Sequence, residues 1–156
     1  MQGAWSKWAP MPLRLIIGFG FVYHGFPKLF SSQGHDMFLG MLQNIGVPAA
    51  GLMAWAVGIV EFLGGLALIV GAFVSVISVL LIINMLVALF TVHLPNGFNF
   101  MHITGMTEAG PQFGMPGYEV NLLYIAGLLA LFLRGPTHLS VDQKLAEKKG
   151  GGGATA

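Results

Sequence analysis

RLIIGFGFVYHGFPKLF, residues 14–30, is an apolar run about as long as a bilayer-spanning helix, yet it contains His24, Pro27 and Lys28. It is either the buried helix of a soluble domain with charges out of place, or a membrane helix whose charges have a purpose. Composition decides between them. Of 156 residues 55% are hydrophobic and only 8% charged, with a mean hydropathy of +0.76. A soluble domain carries roughly 25% charged residues, so this chain has too few to coat a water-facing surface and reads as a membrane protein.

Working outward, four apolar segments appear, at about 13–30, 49–72, 73–93 and 118–133. A span needs about 20 apolar residues, so the second and third fit well and the first and fourth are short. Little more than Gly71 and Ala72 separates the middle two, which requires an antiparallel hairpin. The expected fold is all-α, a transmembrane four-helix up-down-up-down bundle over residues 1–140. A flexible cytoplasmic tail is expected over 141–156. The N-terminal segment lacks a small-residue cleavage site and reads as a retained span rather than a signal peptide.

Lys7 and Arg14 flank the start of the first segment, and Arg134, Lys144, Lys148 and Lys149 follow the fourth. The loops between hold no Lys or Arg except Lys28 at the end of the first, so both termini are expected on the cytoplasmic side. Trp5 and Trp8 then fall near the inner interface and Trp55 near the outer one. In the first outer loop Phe38, Leu42 and Ile45 recur at helical spacing, which predicts an amphipathic helix. The second, Leu94–Tyr118, holds Phe98, Phe100, Met101, Ile103, Phe113 and Met115 among glycines and three prolines. Such an apolar loop is expected to fold over the outer mouth of the bundle or to dock a partner.

Four residues then need explaining. His24 and Lys28, one turn apart, share a helix face; Lys28 near the span's end is also explained by snorkelling to the interface. Glu61 lies mid-span on a stripe with Ala54, Gly58 and Gly65, where a neighbouring helix can approach closely. An acid at that depth costs roughly 2.5 kcal/mol or more unless paired or neutral. His93 closes the third span. Run in their predicted directions, the spans bring His24, Lys28, Glu61 and His93 to similar depth, with Glu119 and Asn121 able to close the ring.

Two readings stand side by side. In one, Glu61 pairs with His24 or Lys28 only to hold helices together. In the other, the four form a binding site for a molecule with a polar head and an apolar body, with His24 and Glu61 the catalytic candidates. His24 or His93 would exchange protons with the head, and Glu61 would set a histidine's tautomer. No short-spaced ligand signature is present, so no metal site is expected, and no basic block points to nucleic acid. Without cysteine there is no thiol chemistry, so a redox role would need a bound cofactor or a substrate such as a quinone.

These residues also carry a resemblance. Arg14, Gly18, His24, Gly25 and Lys28, then Glu61, Gly64 and Gly65, then the HLPNGF closing the third span, resemble the DoxX family of small four-helix bacterial membrane proteins. The likeness covers about Leu13–Leu133, and the family's Arg, His, Lys and Glu positions match Arg14, His24, Lys28 and Glu61. It implies a four-span protein of the bacterial cytoplasmic membrane. Some similar proteins are subunits of a thiosulfate:quinone oxidoreductase, and others are partners in membrane-linked oxidative-stress or sulfur-redox complexes. The expectation is therefore a subunit of a larger redox complex that binds, or lies beside, a quinone, with lipid around it and no covalent cofactor. The alternative is a non-catalytic accessory subunit whose apolar outer loop holds other membrane subunits.

Overall fold

Pro10 and Pro12 open the first helix, where a missing backbone N–H loses no helical bond. In the computed structural model, which describes residues 8–135 and 139–151, that helix, α1, runs Pro10–Phe30. Trp5, Lys7 and the end of the tail, 152–156, lie outside the described residues. Ser31 adopts an extended conformation that stops α1, and its hydroxyl accepts the Gly34 N–H to start α2, Ser32–Asn44. Helix α3 spans Ala50–Val70, α4 Val74–Ala88, α5 Glu119–Arg134 and α6 Val141–Gly151.

The described chain is thus mostly helical. Two segments, Ala50–Val70 and Val74–Asn96, are long and apolar enough to cross a membrane. They are joined by a turn in which Gly71 takes a left-handed conformation (φ 72°) as the C-cap of α3, and the Ala72 N–H returns to the Ala67 carbonyl. Such a cap ties up carbonyls that the helix end leaves open.

Packing pairs α1 most extensively with α3, and α4 with α5. The small-residue stripe explains the first pair. Ala54, Gly58, Glu61 and Gly65 are all buried, and a methyl group on Gly65 would lie 2.6 Å from the Gly18 carbonyl oxygen of α1. The two backbones touch there, and no side chain larger than hydrogen fits. Between the helices sits a core of Ile17, Phe21, Leu68, Leu81, Leu128 and Leu131.

Two expectations change at the end carrying the termini. Arg14, which flanks the start of the first segment, is not left at a surface: it is 2% exposed, and its guanidinium donates to the Leu139 carbonyl at 3.1 Å. Nor is all of the segment from residue 141 a loose tail. Val141–Gly151 is helical, started by the Ser140 hydroxyl, which accepts the Gln143 N–H. The physical reason is Asp142. Its carboxylate accepts the Phe73 and Val74 N–H groups at 2.7 and 2.9 Å, capping α4 from far along the chain, while its own N–H donates to the Gly71 carbonyl. A carboxylate at a helix N-terminus is favoured by both hydrogen bonding and the helix dipole.

At the other end, α2 lies beside α1 and α3, with Leu42 its buried residue. The long loop is more regular than its glycines and prolines suggest. Ile103–Thr107 and Gly110–Phe113 form an antiparallel hairpin, β1 and β2, irregular between Ile103 and Gly105. Its root is fastened by main-chain bonds from Gly117, Tyr118 and Glu119 to Asn99, Gly97 and Phe98.

Candidate functional site

The site begins where α1 and α3 come closest. Gly25 has no room for a side chain, since a methyl group there would lie 2.5 Å from the Phe62 nitrogen and 3.0 Å from the Glu61 Cβ. That approach sets the next turn of α1 against Glu61. Lys28 Nζ lies 2.5 Å from Glu61 Oε2, and Asn84 Nδ2 of α4 donates to Glu61 Oε1 at 3.1 Å. The ammonium also sits 4.3 Å from the centre of the Phe38 ring on α2, a cation–π contact. A carboxylate 5% exposed therefore has both oxygens satisfied and its charge balanced, the arrangement that makes a buried ion pair tolerable.

Lys28 accordingly does not snorkel. Its ammonium turns inward because a buried partner one helix away offers more than the interface does. Among the described residues Glu61 hydrogen-bonds no histidine: its two oxygens are occupied by Lys28 and Asn84, so it sets the tautomer of neither His24 nor His93.

His93 is delivered by a feature that hydropathy does not disclose. After Ala88 the helix widens into a π-helical turn over Leu89–His93, followed by a 3₁₀ turn over Leu94–Asn96. Side chains take up carbonyls in this stretch: Thr91 Oγ1 donates to Val87 O at 2.7 Å and Asn96 Nδ2 to Val92 O at 2.9 Å. Single π turns often mark functional positions. Here the turn brings His93 Nδ1 to 2.8 Å from the Pro116 carbonyl, in the root of the long loop. A carbonyl only accepts, so Nδ1 carries the proton. In the neutral ring the lone pair is then on Nε2.

These groups line one cavity of about 360 Å³, within the range of small-molecule sites. His24, Lys28, Glu61 and His93 all lie on its wall, joined by Asn84, Thr91, Asn121 and Tyr124. The remainder is apolar, including Phe21, Val57 and Met85, and the long loop contributes Phe100, Met115 and Pro116. The loop does fold over the space between the helices. His24 is exposed and stands edge-on to Tyr23 at 5.6 Å, and it makes no hydrogen bond among the described residues. Asn121 is buried and donates to the Met85 carbonyl at 3.5 Å. Glu119 does not close the ring; its carboxylate accepts the Phe100 N–H at 3.0 Å and holds the loop instead. Among the described residues, no group of three His, Asp or Glu is placed to hold a metal ion.

Sequence reasoning gave no role to Tyr124 or Phe38 in the site. A tyrosine facing inward from an apolar helix was a readable signal. The part played by Pro116 was not, because it depends on how the loop folds back.

The DoxX family profile matches residues 9–94. An uncharacterized membrane protein of Mycobacterium tuberculosis, Rv3486, is 29% identical over 87% of this chain and 80% of its own length. CatD of Bacillus subtilis, which carries a provisional name as an oxidoreductase, is 26% identical over 92% of both chains. No solved structure matches the chain.

Proposed function

The chain belongs to the DoxX family of membrane proteins, and from that premise we propose that it is a subunit of a bacterial redox complex that binds a quinone in the cavity beneath the long loop. The observation that carries this reading is the cavity wall: a compact set of polar groups, His24, Lys28, Glu61 and His93 with Asn84, Thr91, Asn121 and Tyr124, set in a largely apolar lining. That contrast suits a molecule with a polar ring and an apolar body. A bound quinone would supply redox chemistry that these side chains lack. The chain's own residues would orient the head, with the Lys28 ammonium donating to a ring oxygen and His93 Nε2 exchanging a hydrogen bond or proton with it.

In this reading α1, α3, α4 with its π extension, and α5 form an up-down-up-down bundle in the bacterial inner membrane. Large apolar side chains are exposed along all four, among them Ile16, Phe19, Leu63, Leu66, Ile83, Val87, Leu123 and Leu133, as lipid-facing surfaces require. The positive residues near the chain ends favour cytoplasmic termini, which puts the cavity in the outer half of the membrane. The test is extraction of the purified protein with organic solvent: quinone is expected in the wild type and absent from His24→Ala and Glu61→Gln variants that still purify. Equal quinone in all three, or none in any, would sink the proposal.

A second reading has its own observation. Phe98, Phe100, Met101, Ile103, Met106 and Phe113 are exposed on the loop and its hairpin, the kind of surface that packs against another subunit. An accessory role predicts that polar substitutions at Phe98 and Met106 release partner subunits while leaving quinone content unchanged.

A further inference from the structure

The polar side chains of the cavity share a pattern. Each of four directs a hydrogen-bond donor into the protein. Asn84 Nδ2 donates to Glu61 Oε1 and Asn121 Nδ2 to the Met85 carbonyl; neither target can donate, so both amides are fixed in orientation. Thr91 Oγ1 donates to the Val87 carbonyl, and His93 Nδ1–H to the Pro116 carbonyl. What remains on Thr91 and His93 is an acceptor alone, a hydroxyl lone pair and, in the neutral ring, imidazole Nε2, while each amide keeps both its oxygen and a second N–H. Donors remain too, on the Tyr124 hydroxyl, on His24, on the second N–H of each amide and on the Lys28 ammonium, which has three N–H and gives one to Glu61.

An oxidised quinone head offers only acceptors, so those donors can meet it but Thr91 and His93 are left unanswered. A hydroxylated ring answers them. Resting on the quinone reading above, we propose that the cavity prefers a phenolic ring, that is, a hydroquinone over the corresponding quinone, and that His93 Nε2 is the acceptor that reads the ring hydroxyl. His93 is then a specificity-determining residue positioned by the long loop through Pro116.

The preference is measurable without electron transfer. Full-length protein in lipid nanodiscs is titrated with 4-nonylphenol and with its methyl ether, ligands of the same shape of which only the first donates. The phenol is expected to bind about tenfold more tightly, the size of one good hydrogen bond in a dry site. In His93→Asn, whose amide can still reach the Pro116 carbonyl, the ratio is expected to fall to within about twofold while the ether's affinity stays unchanged. That constant affinity reports an intact fold; Asn121→Leu, read the same way, gives a second and smaller loss. A wild-type ratio near one, or an unaltered ratio in the His93 variant, overturns the proposal. If the ether and an oxidised short-chain ubiquinone bind as well as the phenol, only this preference falls. If no ring ligand binds at all, the quinone reading falls with it.

Discussion

The two ends of the molecule treat polar groups in opposite ways. At the end carrying the termini, Arg14 and Asp142 are directed onto main-chain atoms, to Leu139 O and to the Phe73 and Val74 N–H groups, and the helices close with glycine against glycine at Gly18 and Gly65. At the loop end, polar side chains answer one another across helices and line a cavity. A polar residue in an apolar bundle is therefore not in itself a sign of a site. What distinguishes the two ends is whether open space remains beside the side chain, since His93 and Asn121 at the cavity bond main-chain carbonyls as well.

The sharpest way to break that contrast is at Glu61. Glu61→Leu leaves the Lys28 ammonium without its partner and is expected to cost about 3–5 kcal/mol, read as a large drop in thermal midpoint in detergent. Lys28→Met combined with Glu61→Leu should recover most of that loss, because no uncompensated charge is left; an additive double variant would show that the pair does not act as a unit. Next in size is Gly65→Ala. Its methyl group would meet the Gly18 carbonyl oxygen at 2.6 Å, and overpacking at a helix crossing is expected to cost about 1–3 kcal/mol.

Asp142→Ala sharpens the contrast from the other side. It removes the cap of α4 and should cost about 1–2 kcal/mol, yet leave ligand affinity at the distant cavity unchanged when measured by titration. A loss of affinity there would mean that the two ends are coupled. The smallest effect belongs to Met106→Ser on the hairpin, a side chain 76% exposed. Stability should stay within about 0.5 kcal/mol, leaving any change in partner binding as a clean readout.

Much of this was legible from residue order, for physical reasons that differ by region. Apolar runs, the Gly71 turn and the small-residue stripe are local signals, and they mark out the helices and the closeness of α1 and α3. The meeting of His24, Lys28, Glu61 and His93 around one space could be reasoned from depth alone, since a bundle fixes depth once direction is assumed. Direction of side chains could not. Lys28 has a stem long enough for either the interface or the interior, and only the rotation of α3 decides that Glu61 meets it. The clamp at Asp142 was invisible because a capping carboxylate so far along the chain leaves no periodic trace, and its segment reads by composition as a loose charged tail.

The π-helical turn at Leu89–His93 carries a consequence for how this protein tolerates change in length. A π turn holds one residue more than the α-helical turn it replaces, so the stretch that ends at His93 carries a surplus residue while His93 faces Pro116. Removing Phe90 would let the ordinary helix re-form while preserving every chemical group at the site. Because the bond to the fifth residue of a π turn spans nearly the same angle as the bond to the fourth residue of an α turn, His93 would keep its facing toward the loop. Removing a residue from the α-helical part of α4 would instead rotate everything after it by about 100° and swing the imidazole away from the loop, so the π turn is where this helix best tolerates a change in length.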